Sequence, residues 1–386
     1  MSRASIDVVQ ALRGIAALAV VLWHASRYLG PYGSGAGAVV FGPGAGMGVD
    51  LFFMISGFIM FHTTRESDGT WRALGDFAIK RVARIWPVWI VALASALLLR
   101  ADASYFADPS KLAWLWHSLM FVPTAGAPAD VPPLYGTPVL GVGWTLNYEM
   151  YFYAFFGIAM LFGRWRWTAF CAWLLATLVL VPLLTGRLAQ PADWLSIVEP
   201  SNGYGYASRY LGMTTNGIVW LFAAGVAIGA ISHALPPVAS VRLLRIAACG
   251  TVAAVAVQYV SRIHAYHGIS HWGLTLVPLL LAAVMLDRRE RIRLPRALIR
   301  LGDISFSLYL FHPIVQDAFD VLVAGALPVF LRTGVAAMLI TTAASILVAA
   351  AAYRVLERGL CESLRRGLRQ RLLGMEGAPA AIPKAA

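Results

Sequence analysis

Charge is what this sequence has least of. Only 13% of its 386 residues are Asp, Glu, Lys or Arg, against roughly 25% in a soluble domain, and lysine is scarce even within that share. A water-soluble globular chain is thereby excluded. Cysteine is equally thin: Cys171, Cys249 and Cys361 are the three present, with no CxxC or metal-like spacing, which rules out a disulfide framework and a zinc site. The net charge of +12 is not gathered into a basic tract or stripe, so nucleic acid is not an expected partner. The N-terminus, MSRASIDVVQALRG, leads into an apolar stretch too long for a cleavable signal and without a small-residue cleavage site, so it is expected to stay as a first membrane helix. No internal repeat and no appended soluble domain is visible.

What is abundant is apolar length. With 59% apolar residues and runs near or above 18 residues recurring along the chain, the expected fold is an all-α, polytopic integral membrane helix bundle. About ten transmembrane helices are predicted, over 7–29, 46–64, 85–101, 143–162, 168–186, 212–232, 244–261, 272–286, 301–320 and 333–356. Placing both termini in the cytoplasm puts most Lys and Arg inside, the loop DRRERIRLPRALIR (287–300) alone holding six arginines, and this asymmetry sets the orientation. The outer loops are longer and richer in Pro, Gly and aromatics. One of them contains KLAWLWHSLMF, expected to lie flat in the interface. Residues 1–373 read as one membrane domain and 374–386 as a disordered tail.

Ionisable groups within such helices are costly and mark function by default. The stretch RGIAALAVVLWH sets Arg13 and His24 eleven residues apart, three helical turns plus about 20° and about 16 Å of rise, so both share one face. With helix 1 running outward, Arg13 lies near the cytoplasm and His24 in the outer half. GMGVDLFFMISGFIM places Asp50 near the outside. GVGWTLNYEMYFY places Asn147, Tyr148 and Glu149 at the outer end of the fourth helix, and ISFSLYLFHPI places Tyr309 before His312 near the middle. His24, Asp50 and Glu149 are therefore expected to meet in a polar chamber open to the outside, with His312 slightly deeper.

A second cluster is cytoplasmic. FAIKRVARIWP carries Lys80, Arg81 and Arg84, the two arginines three apart on one helical face. Two guanidinium forks suit a phosphorylated ligand, since each binds phosphate oxygens bidentately. An anionic donor docked on Arg81, Arg84 and Arg13 would direct its reactive end toward His24. A histidine near a carboxylate is the usual device for activating a hydroxyl nucleophile. Blander readings accompany each of these. The cations before the third helix also serve as positive-inside anchors, Arg13 could snorkel to the interface, and His312 and Glu149 could be satisfied structural residues. The HxxHxxxH run at 264–271 has little support as a metal site, and His267 reads as a surface residue. A transporter or flippase of a lipid-linked sugar would use a similar chamber, although its site belongs at the midplane rather than on a cytoplasmic rim.

The segments ALRGIAALAVVLWHASRY, GVDLFFMISGFIM, KRVARIWPVW, WTLNYEMYFY, SFSLYLFHPI and VLERGL, in that order and spanning nearly the whole chain, resemble the acyltransferase family 3 membrane proteins. The resemblance implies a multi-pass enzyme of the cell (inner) membrane. It would move an acyl group, commonly acetyl, from cytoplasmic acyl-CoA to a carbohydrate hydroxyl, with no metal. By position, His24 matches the family's catalytic histidine, Arg13 its paired arginine, and Arg81 and Arg84 its RxxR pair on the CoA side. The fourth-helix element departs from the common WSLSVEEQFY form in having one acid, Glu149, and is similar to the exopolysaccharide-modifying branch. The expected partners are thus acyl-CoA, an exopolysaccharide or lipid-linked sugar, and membrane lipids. A lipid or secondary-metabolite acceptor, direct transfer or an acyl-histidine intermediate, and homo-oligomerisation all stay open. Trp194, Tyr204 and Tyr206 are candidate sugar-stacking aromatics.

Overall fold

A computed structural model describes residues 4–30, 35–123, 137–185, 205–235 and 240–374. The proposed tail, Trp194 and Tyr204 lie outside these residues, as does the side chain of Tyr206. In chain order the helices are α1 (Ala4–Ala25), α2 (Gly35–Thr64), α3 (Trp71–Arg100), α4 (Ala103–Ala107), α5 (Pro109–Leu119), α6 (Trp144–Met160), α7 (Arg166–Leu175) and α8 (Val181–Leu184). They continue as α9 (Gly205–Thr214), α10 (Val219–Ala234), α11 (Val241–Ser261), α12 (Gly273–Glu290), α13 (Arg296–Asp303), α14 (Ser305–Ala318), α15 (Val329–Arg332), α16 (Gly334–Ala352) and α17 (Glu362–Leu373). Among the described residues seven helical stretches are long and apolar enough to span a membrane, or eight counting α13 and α14, which bend by 70° where they join. The two remaining expected spans are present as α6, at 17 residues, and α12, whose 18 residues end in the charged turn DRRE.

Two helices start well before their expected positions. Helix α2 begins at Gly35 rather than near 46, through a glycine-rich stretch with low intrinsic helix propensity. Its glycines are instead needed for a close crossing with α1. A Cβ on Gly48 would stand 2.5 Å from the Ala16 carbonyl oxygen, and one on Gly37 would stand 2.6 Å from that of Ser26. Small residues that let backbones approach are how helices associate where the hydrophobic effect is absent. Helix α3 begins at Trp71 rather than near 85, because Thr70 caps it by accepting from the Ala73 amide at 3.2 Å. The stretch 71–84 is helix extended beyond the apolar span.

Farther along, α2 meets α10 through Gly57 and Gly225. Cβ atoms there would stand 2.1 Å from the Phe222 carbonyl oxygen and 1.9 Å from that of Met54. Beside this crossing an aromatic core joins α2, α6, α7 and α10, with Phe152 stacked on Phe222 at 4.0 Å and Phe53 at 4.8 Å from Phe222.

The segment expected to lie flat in the interface does otherwise. Helix α5 returns along α3, and its last residues are held by α3 tryptophans. Trp86 donates to the Leu119 carbonyl at 2.8 Å and Trp89 to that of Ser118 at 2.9 Å. Trp89 lies eleven residues, about 16 Å of helix, below Arg100, so α5 is re-entrant. The chain then reaches Gly143 against the Trp89 ring, where a Cβ would fall 2.2 Å from the indole. Helix α6 therefore starts inside the bundle, which explains its shortness. Non-helical backbone at such depth is tolerated where it is buried in protein or lines a cavity.

Candidate active site

Helices α1, α3 and α14 run in one direction, because their C-terminal ends meet in a single ion-pair cluster. Arg27 contacts Asp317 at 3.4 Å and Asp320 at 2.6 Å, and Arg100 also pairs with Asp317. Tyr28 donates to Asp320 at 2.9 Å. From Arg100 back to Arg81 is about 28 Å of helix, close to the hydrocarbon thickness of about 30 Å. The two arginine clusters thus mark opposite ends of the bundle.

At the Arg81 end lies a pocket holding about 730 Å³ of open space, walled by α1, α2, α3, α6 and α14. Its polar lining is Arg13, Ser56, Arg81, Arg84, Thr145, Glu149, Tyr153 and Tyr309. The α2 wall is Val49, Phe52, Phe53, Ile55, Ser56 and Ile59, all but Ile55 on one i, i+3, i+4, i+7 face of the helix. Arg13 is steadied by the Gln10 side-chain oxygen at 3.0 Å. Arg81 lies over the rings of Phe77 and Tyr153, 5.2 Å from each, and donates to Thr63 at 3.3 Å. Glu149 accepts from Ser56 at 3.2 Å and from the Tyr153 hydroxyl. A second carboxylate, Glu357, accepts from Ser307 of α14 at 2.5 Å. It sits within a nine-residue π-helical stretch, Tyr353–Cys361, a geometry found most often at functional sites. Three guanidinium groups against one carboxylate in the lining leave the pocket with surplus positive charge. The N-terminus of α6, at Thr145, adds its positive dipole end to the inner limit of the pocket.

Tyr309 closes that inner limit, donating to the Val142 carbonyl at 3.0 Å and sharing a hydrogen bond of 3.0 Å with Thr145. One turn farther along α14 is His312, its ring 6.1 Å from that of Tyr309 and 4.9 Å from that of His24. Both histidines direct Nδ1 at a carbonyl four residues back on their own helix, Val20 at 2.9 Å and Leu308 at 3.1 Å. A carbonyl accepts only, so each Nδ1 carries the proton and each Nε2 is the basic nitrogen of its ring. The His312 Nε2 is buried and makes no hydrogen bond. Asp317, the partner of Arg27 and Arg100, lies five residues beyond His312 on α14.

This geometry revises the expected grouping. His24 meets His312, whereas Glu149 lies with the arginines, because α6 starts at mid-depth and carries its acid toward the Arg81 end. Asp50 joins neither group. It is fully buried one position off the pocket face of α2, and it accepts from His267 Nδ1 at 2.7 Å and from the Gly268 amide at 2.8 Å, anchoring the loop before α12. His267, read as a surface residue, is therefore a structural partner, and His264 instead meets His271 at 5.6 Å. Asn147 and Tyr148 are buried off the pocket face of α6, Tyr148 against Phe53 and Trp144. Lys80, about 100° around α3 from Arg81, pairs with Asp76 at 2.5 Å, as does Arg369 of α17. It is absent from the pocket lining. Thr145, Tyr153, Glu357 and Asp317 were not foreseen as site residues, although VLERGL, which holds Glu357, stood among the resembling segments.

The chain belongs to the acyltransferase domain family, whose model matches residues 4–354. It is 30% identical over 275 residues to the exopolysaccharide production protein ExoZ of Rhizobium meliloti (strain 1021), covering 69% of this chain and 74% of that protein. To Nodulation protein 10 of Rhizobium leguminosarum bv. viciae it is 26% identical over 284 residues, 70% and 71% of the two chains. No solved structure matches. The protein is a multi-pass membrane acyltransferase.

Proposed function

We propose that the protein O-acylates a carbohydrate destined for an exopolysaccharide, taking an acetyl group from acetyl-CoA and acting in the inner membrane with both termini cytoplasmic. The observation that carries this reading is the order of an arginine pocket, Tyr309 at its inner limit and the His312–His24 pair one turn beyond. Arg81, Arg84 and Arg13 hold the phosphate-bearing donor at the cytoplasmic end. The donor's extended pantetheine arm bridges the roughly 16 Å from Arg13 toward His24. The sugar hydroxyl approaches from the Arg27 end.

His24 Nε2 then does one of two things. In direct transfer it removes the proton of the sugar hydroxyl while that oxygen bonds to the acyl carbon; the carbon–sulfur bond breaks and the CoA thiolate leaves and takes up a proton. In a relay Nε2 itself bonds to the acyl carbon and expels the thiolate, and the hydroxyl displaces the imidazole in a second step. His312 supplies a second basic nitrogen beside the first. Glu149 and Tyr309 position the donor, and the Val20 carbonyl on Nδ1 orients His24.

Purified protein in nanodiscs with radiolabelled acetyl-CoA and exopolysaccharide tests the proposal. The intact protein should move label to the polysaccharide. His24→Ala should lower transfer by roughly 10³-fold or more, in the range for losing a general base, while binding donor as before. Equal transfer by the two proteins would overturn the role of His24.

A further inference from the structure

A second cleft opens at the Arg81 end of the molecule, on the other side of α2. It holds about 810 Å³ of open space, and its lining is Phe58, Phe61, His62 and Arg65 of α2, Gly229, Ser232 and His233 of α10, and Arg288 of α12. It shares no lining residue with the arginine pocket. Thr63, which accepts from Arg81, lies on the next face of the same helical turn, so both cavities face the same membrane surface.

The permanent charges of this lining are those of Arg65 and Arg288, with two imidazoles beside them. The nearby acid Glu66 is on the outside, bonded to Arg65 at 2.9 Å with 84% of its side chain exposed. Asp287, next to Arg288, is turned away to accept the Ile292 amide at 2.9 Å. The Arg288 Nη1 is buried and makes no hydrogen bond among the described residues, which is costly for a charged donor unless a ligand completes it.

The cleft is also held in shape. Gly229 lets α10 close on α2, since a Cβ there would stand 2.8 Å from the Phe61 ring. Arg166 binds the carbonyls of Thr64 at 3.0 Å and Ser67 at 2.9 Å, and that of Arg65. Thr64 is the last residue of α2 and the other two follow it, so the guanidinium offsets a negative dipole end that would otherwise repel an anion. Arg65 Nη1 meets His233 Nδ1 at 2.9 Å, linking the α2 and α10 walls.

We infer that this cleft is a second anion site, one that binds a phosphate group through Arg65 and Arg288 with His62 and His233 at its rim. Guanidinium forks match phosphate oxygens, and basic pockets between membrane helices on the cytoplasmic side are where anionic headgroups bind. The phosphate belongs either to a membrane lipid or to a free phosphorylated solute, and the inference is independent of where the acyl donor docks.

The full chain in detergent is tested by native mass spectrometry for retention of phosphatidic acid against phosphatidylcholine of the same acyl chains. In parallel, inorganic pyrophosphate is titrated and thermal stability recorded. A preference for phosphatidic acid of tenfold or more, lost in R65Q/R288Q and kept in R81Q/R84Q, supports the site with a lipid source. Stabilisation by pyrophosphate without lipid preference, again lost in R65Q/R288Q, supports it with a solute source. Neither effect in the intact chain, or the same effect in R65Q/R288Q, reduces the cations to partners of three helix ends and overturns the inference. So does a loss confined to R81Q/R84Q. Should the double variant fail to fold, R65Q alone, at the rim, is expected to weaken retention about threefold, and an unchanged value contradicts the site.

Discussion

Adjacent residues on α3 have different surroundings, and this separates their consequences. Arg81 and Arg84 line the pocket, while Lys80 is held by Asp76 on another face. Charge-assisted contacts to phosphate contribute roughly 1.5–3 kcal/mol each. Arg81→Gln with Arg84→Gln should therefore raise KM for acetyl-CoA by roughly 10²–10⁴-fold and leave kcat nearly unchanged, as loss of ground-state binding does. Lys80→Gln should leave both within about twofold. Steady-state kinetics on the three proteins checks this, and an equal effect of Lys80→Gln would contradict the face assignment. At this scale the sequence was most informative where helical spacing alone decides orientation: the three-residue interval of the arginines placed both in one pocket. It was least informative for Asp50 and Glu149. Their depth was counted along helices, but their partners depend on the loop carrying His267 and on where α6 begins.

Between helices, the contacts that matter are made by residues with no chemistry of their own. Gly57 and Gly225 bring α2 and α10 together, which fixes the α2 face that forms one wall of the arginine pocket. Gly225→Val puts branched carbon against the Met54 carbonyl and should cost about 1–3 kcal/mol or more, seen as a lowered unfolding midpoint in detergent; an unchanged midpoint would contradict so close a crossing. The re-entrant α5 makes a separate prediction. In a background with Cys171 and Cys249 replaced by serine, Ser110→Cys, exposed, should react with a membrane-impermeant maleimide, and Ser118→Cys, 1% exposed, should not. Equal labelling would return α5 to the interface. Amphipathic aromatic composition suggested a surface helix. The indole hydrogen bonds from Trp86 and Trp89 that draw it inward are long-range contacts, which local pattern does not encode.

Across the whole molecule, the two arginine clusters about 28 Å apart mark two ends of the bundle, which the proposal assigns to donor and acceptor, with Tyr309, His312 and His24 between them. The membrane class followed from apolar length and scarce charge, and the order of Arg13 and His24 along α1 followed from helical rise. What joins them is tertiary. The histidine pair is contributed by α1 and α14, nearly 290 residues apart in sequence, and Glu357 bonds Ser307 of α14 from the penultimate helical stretch.

Transfer from one end to the other is the central claim, and sided proteoliposomes test it most directly. Radiolabelled acetyl-CoA is confined to the face bearing Arg81 and the carbohydrate acceptor to the face bearing Arg27, with orientation fixed by labelling of Ser110→Cys. The account predicts that label reaches the acceptor across an otherwise sealed bilayer and that His24→Ala blocks it. Label appearing only when donor and acceptor share one face would contradict it.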